Sequence, residues 1–299
     1  MPHPKGSQDS FEIGVCADAG AEIARVFIDG EWPGDPGEAK SLLNAVCERL
    51  RGSDRLGFLV LFGGFLNLPW PEKVRRGSII DPVWPSGNVV EQLAEYGTVN
   101  VKAMLHEGGL QRKLKRIAGC VTIGVDVYYF MGSVRDLHAE LIFAIDVDNG
   151  GLWRTGKSYP NPRQQCGLVR FPGLPDHFVS MGGRKVMVLG CHDLNMFSPR
   201  SAHNARGWRS TTIEEFRRLA TSENPDLLLW HPHKSDTPRT WLAGLSGVKK
   251  LLPDISYAGA GVFYNDGRPP RASLARVLGG TKNVPTIDLI VKRDNPLAA

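Results

Sequence analysis

Short apolar runs of strand length recur along this chain, and an amphipathic helix separates the first two, an alternation that favours an α/β fold. Residues 24–28 read as a strand, and residues 29–37 as a turn-rich loop. Residues 38–51 then carry Leu42, Leu43, Val46, Cys47 and Leu50 at helical spacing. Residues 56–62 are continuously apolar, as in a strand buried on both faces. A helix is expected over 88–96, and residues 118–130 and 137–145 read as hairpin strands, the second ended by the turn at 146–151. Residues 152–182, rich in Gly, Pro, Gln and Asn, read as loop. Further strands are expected at 186–189, 227–230, 259–263 and 287–291, with helices at 213–221 and 239–252. Residues 1–22 look irregular, and no linker divides residues 23–299, which are expected to form one domain with mixed strand order.

At 299 residues, 42% hydrophobic and 22% charged, the chain has ample material for a buried core. No apolar run approaches the roughly 18 residues that span a bilayer, and the N-terminus lacks the apolar centre of a secretory signal. A cytoplasmic protein with no membrane partner is the expectation. The five cysteines (Cys16, Cys47, Cys120, Cys166, Cys191) include no C-x-x-C pair, so free thiols are expected rather than a zinc finger or a disulfide framework. The net charge of +5 gathers mainly at 112–116 and at Arg75-Arg76, without interleaved aromatics. These read as solvated helix faces, and no nucleic-acid partner is expected.

Residues 182–199 carry the strongest chemical signal. Val186 to Leu189 lead directly into Cys191, followed at once by polar His192-Asp193. A buried strand that ends on a thiol and then turns delivers a nucleophile to a sheet edge, where backbone N–H groups can hold an oxyanion. Lys157 lies 34 positions upstream, just after the 146–151 turn, where it could stabilise a thiolate or oxyanion.

The stretch Gly183-Arg-Lys-Val-Met-Val-Leu-Gly-Cys191-His-Asp193-Leu-Asn-Met-Phe197 resembles the nucleophile segment of the carbon–nitrogen hydrolase (nitrilase-like) superfamily. Upstream, Glu140 through Asp146, Gly150 and Lys157 to Pro160 is similar to the family's lysine segment. Residues 24–62, 225–233 and 256–265 agree in order and size. The resemblance implies an αββα sandwich of two mixed β-sheets that dimerises through helices, with Cys191 as nucleophile, Lys157 as catalytic lysine and no cofactor or metal. The family's catalytic glutamate follows the second strand as Pro-Glu; here Gly63-Gly64 stand there instead. Glu72 after Pro71, Glu140 and His192 are the candidates for the missing base.

His192, Trp230, His231 and His233 are expected to line the substrate site, although His231-Pro-His233 could also be read as part of a metal set, and Trp208, Trp230 and Trp241 as core. The expected activity is hydrolysis of a non-peptide carbon–nitrogen bond in a small amide, nitrile or carbamoyl compound through a thioester. The alternative is a catalytically silent nitrilase-like binding or assembly module, motivated by Gly63-Gly64. A Cys–His peptidase using His203, His231 or His233 is a third reading.

Overall fold

The computed structural model describes residues 11–75, 77, 79–129, 136–264 and 270–293. Its first half runs β1 (Glu12–Ala17), β2 (Ile23–Asp29), α1 (Pro36–Arg49), β3 (Leu56–Val60), β4 (Leu66–Pro69), α2 (Gly87–His106), α3 (Leu110–Ile117), β5 (Ala118–Tyr128), β6 (His138–Asp146) and β7 (Leu152–Gly156). It continues with β8 (Phe178–Met181), β9 (Arg184–Gly190), α4 (Pro199–Asn204), α5 (Trp208–Glu223), β10 (Leu227–His231), α6 (Pro238–Leu251), β11 (Ser256–Gly259), β12 (Gly261–Tyr264), α7 (Leu274–Gly280) and β13 (Thr286–Lys292).

Local chemistry explains the helices. Asp35 caps α1 by accepting from the Gly37 and Glu38 N–H groups, and Pro36 opens its first turn. Ser86 caps α2 in the same way, through Val89. The apolar stripe of α2 runs on past residue 96 through Val101, Met104 and Leu105, so the helix is longer than the expected 88–96. In α3 the basic stretch lies on a helix whose Leu110, Leu114 and Ile117 are buried.

The larger sheet has the order β1-β13-β2-β3-β5-β6-β7, with β12 also on β2 and β4 also on β5; the smaller is β11-β10-β9-β8. Each mixes parallel and antiparallel pairs. Period-2 alternation in the smaller sheet assigns its faces. Val186, Val188, Leu227 and Leu229 join the core shared with the larger sheet. Met187, Leu189, Leu228 and Trp230 instead pack with Phe216 of α5 and with Trp241 and Leu245 of α6. With α1, α2 and α3 packed on the larger sheet, the layers run helix, sheet, sheet, helix, the αββα sandwich that the family resemblance implies.

Other expectations change as well, and the single strand expected at 259–263 is two, β11 in the smaller sheet and β12 on β2 of the larger. Residues 152–182 are not all loop, because β7 pairs with β6 and β8 with β9. Both are short and carry no clear alternation, so composition hid them. Likewise Glu12–Ala17 forms an edge strand on β13, mostly exposed and therefore without an apolar signature. Phe130, at the end of the expected 118–130 strand, Arg76 and Asn265 lie outside the described residues.

Candidate active site

The candidate nucleophile comes from β9. After four buried residues the strand ends at Gly190, so Cys191 and His192 sit in a turn and need not point to opposite faces. Buried Asp193 shapes that turn. Its Oδ2 accepts from the Gly190 N–H at 3.1 Å, while Oδ1 accepts from the Ser158 and Tyr159 N–H groups at 3.0 and 2.8 Å. One carboxylate therefore ties the residues after Lys157, at the end of β7, to the strand that carries Cys191.

The larger sheet contributes two carboxylates. Asp126 of β5 is in register opposite Glu140 of β6, and both are buried. Like charges across a strand pair repel, and here two basic side chains interleave with them. Lys157 Nζ lies 2.5 Å from Glu140 Oε2, and His233 Nε2 lies 2.7 Å from Asp126 Oδ2. His233 Nδ1 is also 3.7 Å from Glu140 Oε2. Gln164 Nε2 donates to Glu140 Oε1 at 2.8 Å, and Tyr128 donates to Asp126 Oδ2 at 3.0 Å.

These contacts set the protonation states. Burial pushes the Glu140 carboxyl up, but Lys157, His233 and His138 outweigh it and hold it well below its usual value. Burial disfavours charge on Lys157, yet Glu140 and Cys191 leave its pKa raised. Burial likewise opposes charge on His233, and Asp126 and Glu140, with the Cys191 thiol, reverse that and raise it well above normal. Burial also opposes ionisation of Cys191, but His192, His233 and Lys157 bring its pKa well below the ordinary thiol value. The core cysteines behave oppositely: burial lifts Cys47 to about 12 and Cys120 to about 11. Both shifts favour a thiolate at Cys191 beside an imidazolium at His233.

Gly63 and Gly64 make room for this histidine. A Cβ on Gly63 would lie 3.0 Å from the His233 ring and 2.7 Å from the His231 carbonyl oxygen. One on Gly64 would meet Asp126 Oδ2 at 3.0 Å and the His233 ring at 3.1 Å. Where the family resemblance places a glutamate, this chain holds the imidazole of the segment after β10.

Several expected site residues fall elsewhere. Glu72 is exposed in the turn after β4, and no side-chain contact ties it to Cys191 or Lys157 among the described residues, so the structure does not supply it as a base. His231 is fully buried, with Nε2 at 2.9 Å from Thr122 Oγ1, and burial lowers its pKa to about 4. Trp230 is core, although its indole N–H donates to the Cys191 carbonyl at 3.3 Å. Neither offers an open face to a substrate. His203 is exposed on α4. His231 and His233 serve different partners, and among the described residues no three His, Cys, Asp or Glu side chains are grouped to hold a metal ion.

Cys191, Lys157, Glu140, His192 and His233 are brought together. Asp126, Gln164 and Asn161 were missed. Asp126 had a signal, as the one charged residue inside an apolar strand run; Gln164 and Asn161 sit in a polar loop and had none.

The αββα sandwich places the lysine and the cysteine at neighbouring ends of its two sheets. In structure the chain is similar to an amidase from Nesterenkonia sp., at 15% identity over 82% of this chain and 78% of that one, with a TM-score of 0.49. It is similar to a variant of that amidase carrying covalent addition of the acetamide moiety of fluoroacetamide at the active-site cysteine (15%, 83% and 79%, TM-score 0.49). A further variant, described as from the nitrilase superfamily, matches at 16% over 82% and 78%, TM-score 0.49. No family model matches the chain, and no curated protein matches it.

Proposed function

We propose that this protein is a thiol hydrolase of a non-peptide carbon–nitrogen bond in a small amide, nitrile or carbamoyl compound. The observation that carries the reading is the Cys191 thiol set against His233, itself anchored on Asp126 at 2.7 Å, with Lys157 alongside. For an amide, the Cys191 thiolate attacks the carbonyl carbon, and the oxyanion of the tetrahedral adduct is held by Lys157. The adduct collapses as the C–N bond breaks and the His233 imidazolium gives its proton to the departing nitrogen. The neutral imidazole then takes a proton from water, whose oxygen attacks the thioester, and the acid leaves with the thiolate restored. Glu140 keeps Lys157 charged and in place, a positioning role.

Gly63 and Gly64, which motivated the silent-module alternative, are accounted for as the space His233 occupies. The test is alkylation by iodoacetamide at pH 7 with peptide mapping, followed by mass analysis for an acyl adduct after incubation with small primary amides. The reading expects fast labelling of Cys191, slow labelling of Cys47 and Cys120, and an adduct that Cys191→Ala abolishes. Equal labelling of Cys191 and the two core cysteines would remove its support.

A further inference from the structure

One buried polar atom beside the thiol has no place in that scheme. His192 Nδ1 is buried and makes no well-aligned hydrogen bond, although its ring lies against the Cys191 thiol. Its tautomer follows from its neighbour. Asn161 Oδ1 accepts from the backbone N–H groups of Arg163 at 2.8 Å and Gln164 at 3.1 Å, which fixes the orientation of the amide. The Asn161 Nδ2 donor therefore faces His192 Nε2, 3.3 Å away. A ring nitrogen that accepts carries no hydrogen, so the ring proton sits on Nδ1. Gln164, whose backbone helps fix Asn161, also holds Glu140, so the same loop sets both sides of the site.

A buried, unpaired N–H at a nucleophile costs stability unless a ligand uses it. Resting on the thiol-hydrolase reading, we propose that His192 Nδ1–H is a second oxyanion donor, acting with Lys157 on the acyl oxygen of the tetrahedral adduct. Lys157 is already committed to Glu140 at 2.5 Å, and a second N–H donor beside the sulfur completes the pair. The imidazole acts here through its N–H, leaving proton transfer to His233.

Two reactions of the same thiolate separate this role from tuning of the thiol. Alkylation by iodoacetamide passes through no oxyanion, whereas acylation by p-nitrophenyl acetate does. Both limiting rates are measured on the full chain at the alkaline plateau of thiolate formation, for wild type, His192→Phe and His192→Asn. The proposal expects His192→Phe to acylate about 10²-fold more slowly, with the alkylation plateau shifting far less, by only the modest change in thiolate nucleophilicity that follows its pKa. His192→Asn, whose amide nitrogen can stand near the position of Nδ1, restores most of the acylation rate. If His192→Phe misfolds, Asn161→Leu is read instead: freeing the tautomer gives a smaller acylation loss at an unchanged alkylation plateau. Parallel loss of both reactions, or no loss of acylation, overturns the proposal. A wild-type protein whose Cys191 neither alkylates selectively nor acylates fails the hydrolase reading itself, a result visible before any variant is made.

Discussion

In the proposed chemistry the deciding residue is His233, and what gives it that role is Asp126. A half-exposed histidine ordinarily titrates near 6.5; this one, with Asp126 at 2.7 Å and Glu140 at 3.7 Å, keeps its proton to well above that value. Asp126→Asn removes the main source of that shift and weakens the orientation of the ring. Acylation is expected to fall on the order of 10³-fold, by analogy with carboxylates that anchor catalytic histidines. The alkaline limb of the rate profile, where His233 loses its proton, moves to lower pH. An Asp126→Asn enzyme with an unmoved limb would mean that another group titrates there. At this scale the sequence pointed to residues that the fold brings together: Cys191 stood out by position, Lys157 by position and the family resemblance, and Glu140 by its place in that resemblance. Glu72 looked equally good, because a proline before a glutamate marks a turn and says nothing about which way that turn faces.

At the scale of elements, the site depends on two close approaches between segments distant in sequence. The chain after β3 crosses β5 so tightly that a Cβ on Gly124 would lie 2.3 Å from the Phe62 carbonyl oxygen and 2.5 Å from Gly63 Cα. Gly63 in turn lets the segment after β10 bring His233 down onto Asp126. Gly63→Ala is expected to cost about 1–3 kcal/mol by overpacking. It should also lower acylation by more than the loss of stability explains, because the displaced ring is the proposed proton donor. Calorimetry and the acylation rate, measured together, check this. Asp193→Asn tests the other join. One amide oxygen cannot replace two carboxylate oxygens that accept three N–H groups, so a buried donor loses its partner at about 1–3 kcal/mol. An Asp193→Asn protein as stable as wild type would show that the clamp between β7 and β9 is dispensable. None of these joins could be read beforehand. Gly63 and Asp193 in turns, and Gly124 inside β5, carry no periodic signal of their partners, and β7 and β8 likewise lacked a clear pattern.

For the whole molecule, the order of the more apolar strands and helices followed from apolar periodicity, but β1, β7 and β8 and the assignment to two sheets did not. That assignment depends on pairings such as β13 between β1 and β2, which are remote in sequence. The assembled sandwich then sets a pH dependence that no segment has alone. Between about 6.5 and 9, folding adds a proton at His233 and removes one at Cys191, so these two shifts oppose each other and stability should change little there. Below that window the effects act in one direction. His231, fully buried between the sheets, has a folded pKa of about 4 against 6.5 unfolded, so the unfolded chain takes up the proton first. Its contribution is complete above 6.5 and is lost as pH falls to about 4, roughly 3 kcal/mol at 1.36 kcal/mol per unit. Glu140, whose folded pKa is depressed below 4.5, adds a further loss as pH falls through its folded value. Urea unfolding midpoints measured from pH 7 to 4 should therefore drop steeply for wild type. His231→Gln, less stable at pH 7, should lose much of the slope between 6.5 and 4.5 while keeping the fall below it. An unchanged slope in His231→Gln would place the acid sensitivity at a group other than this buried imidazole.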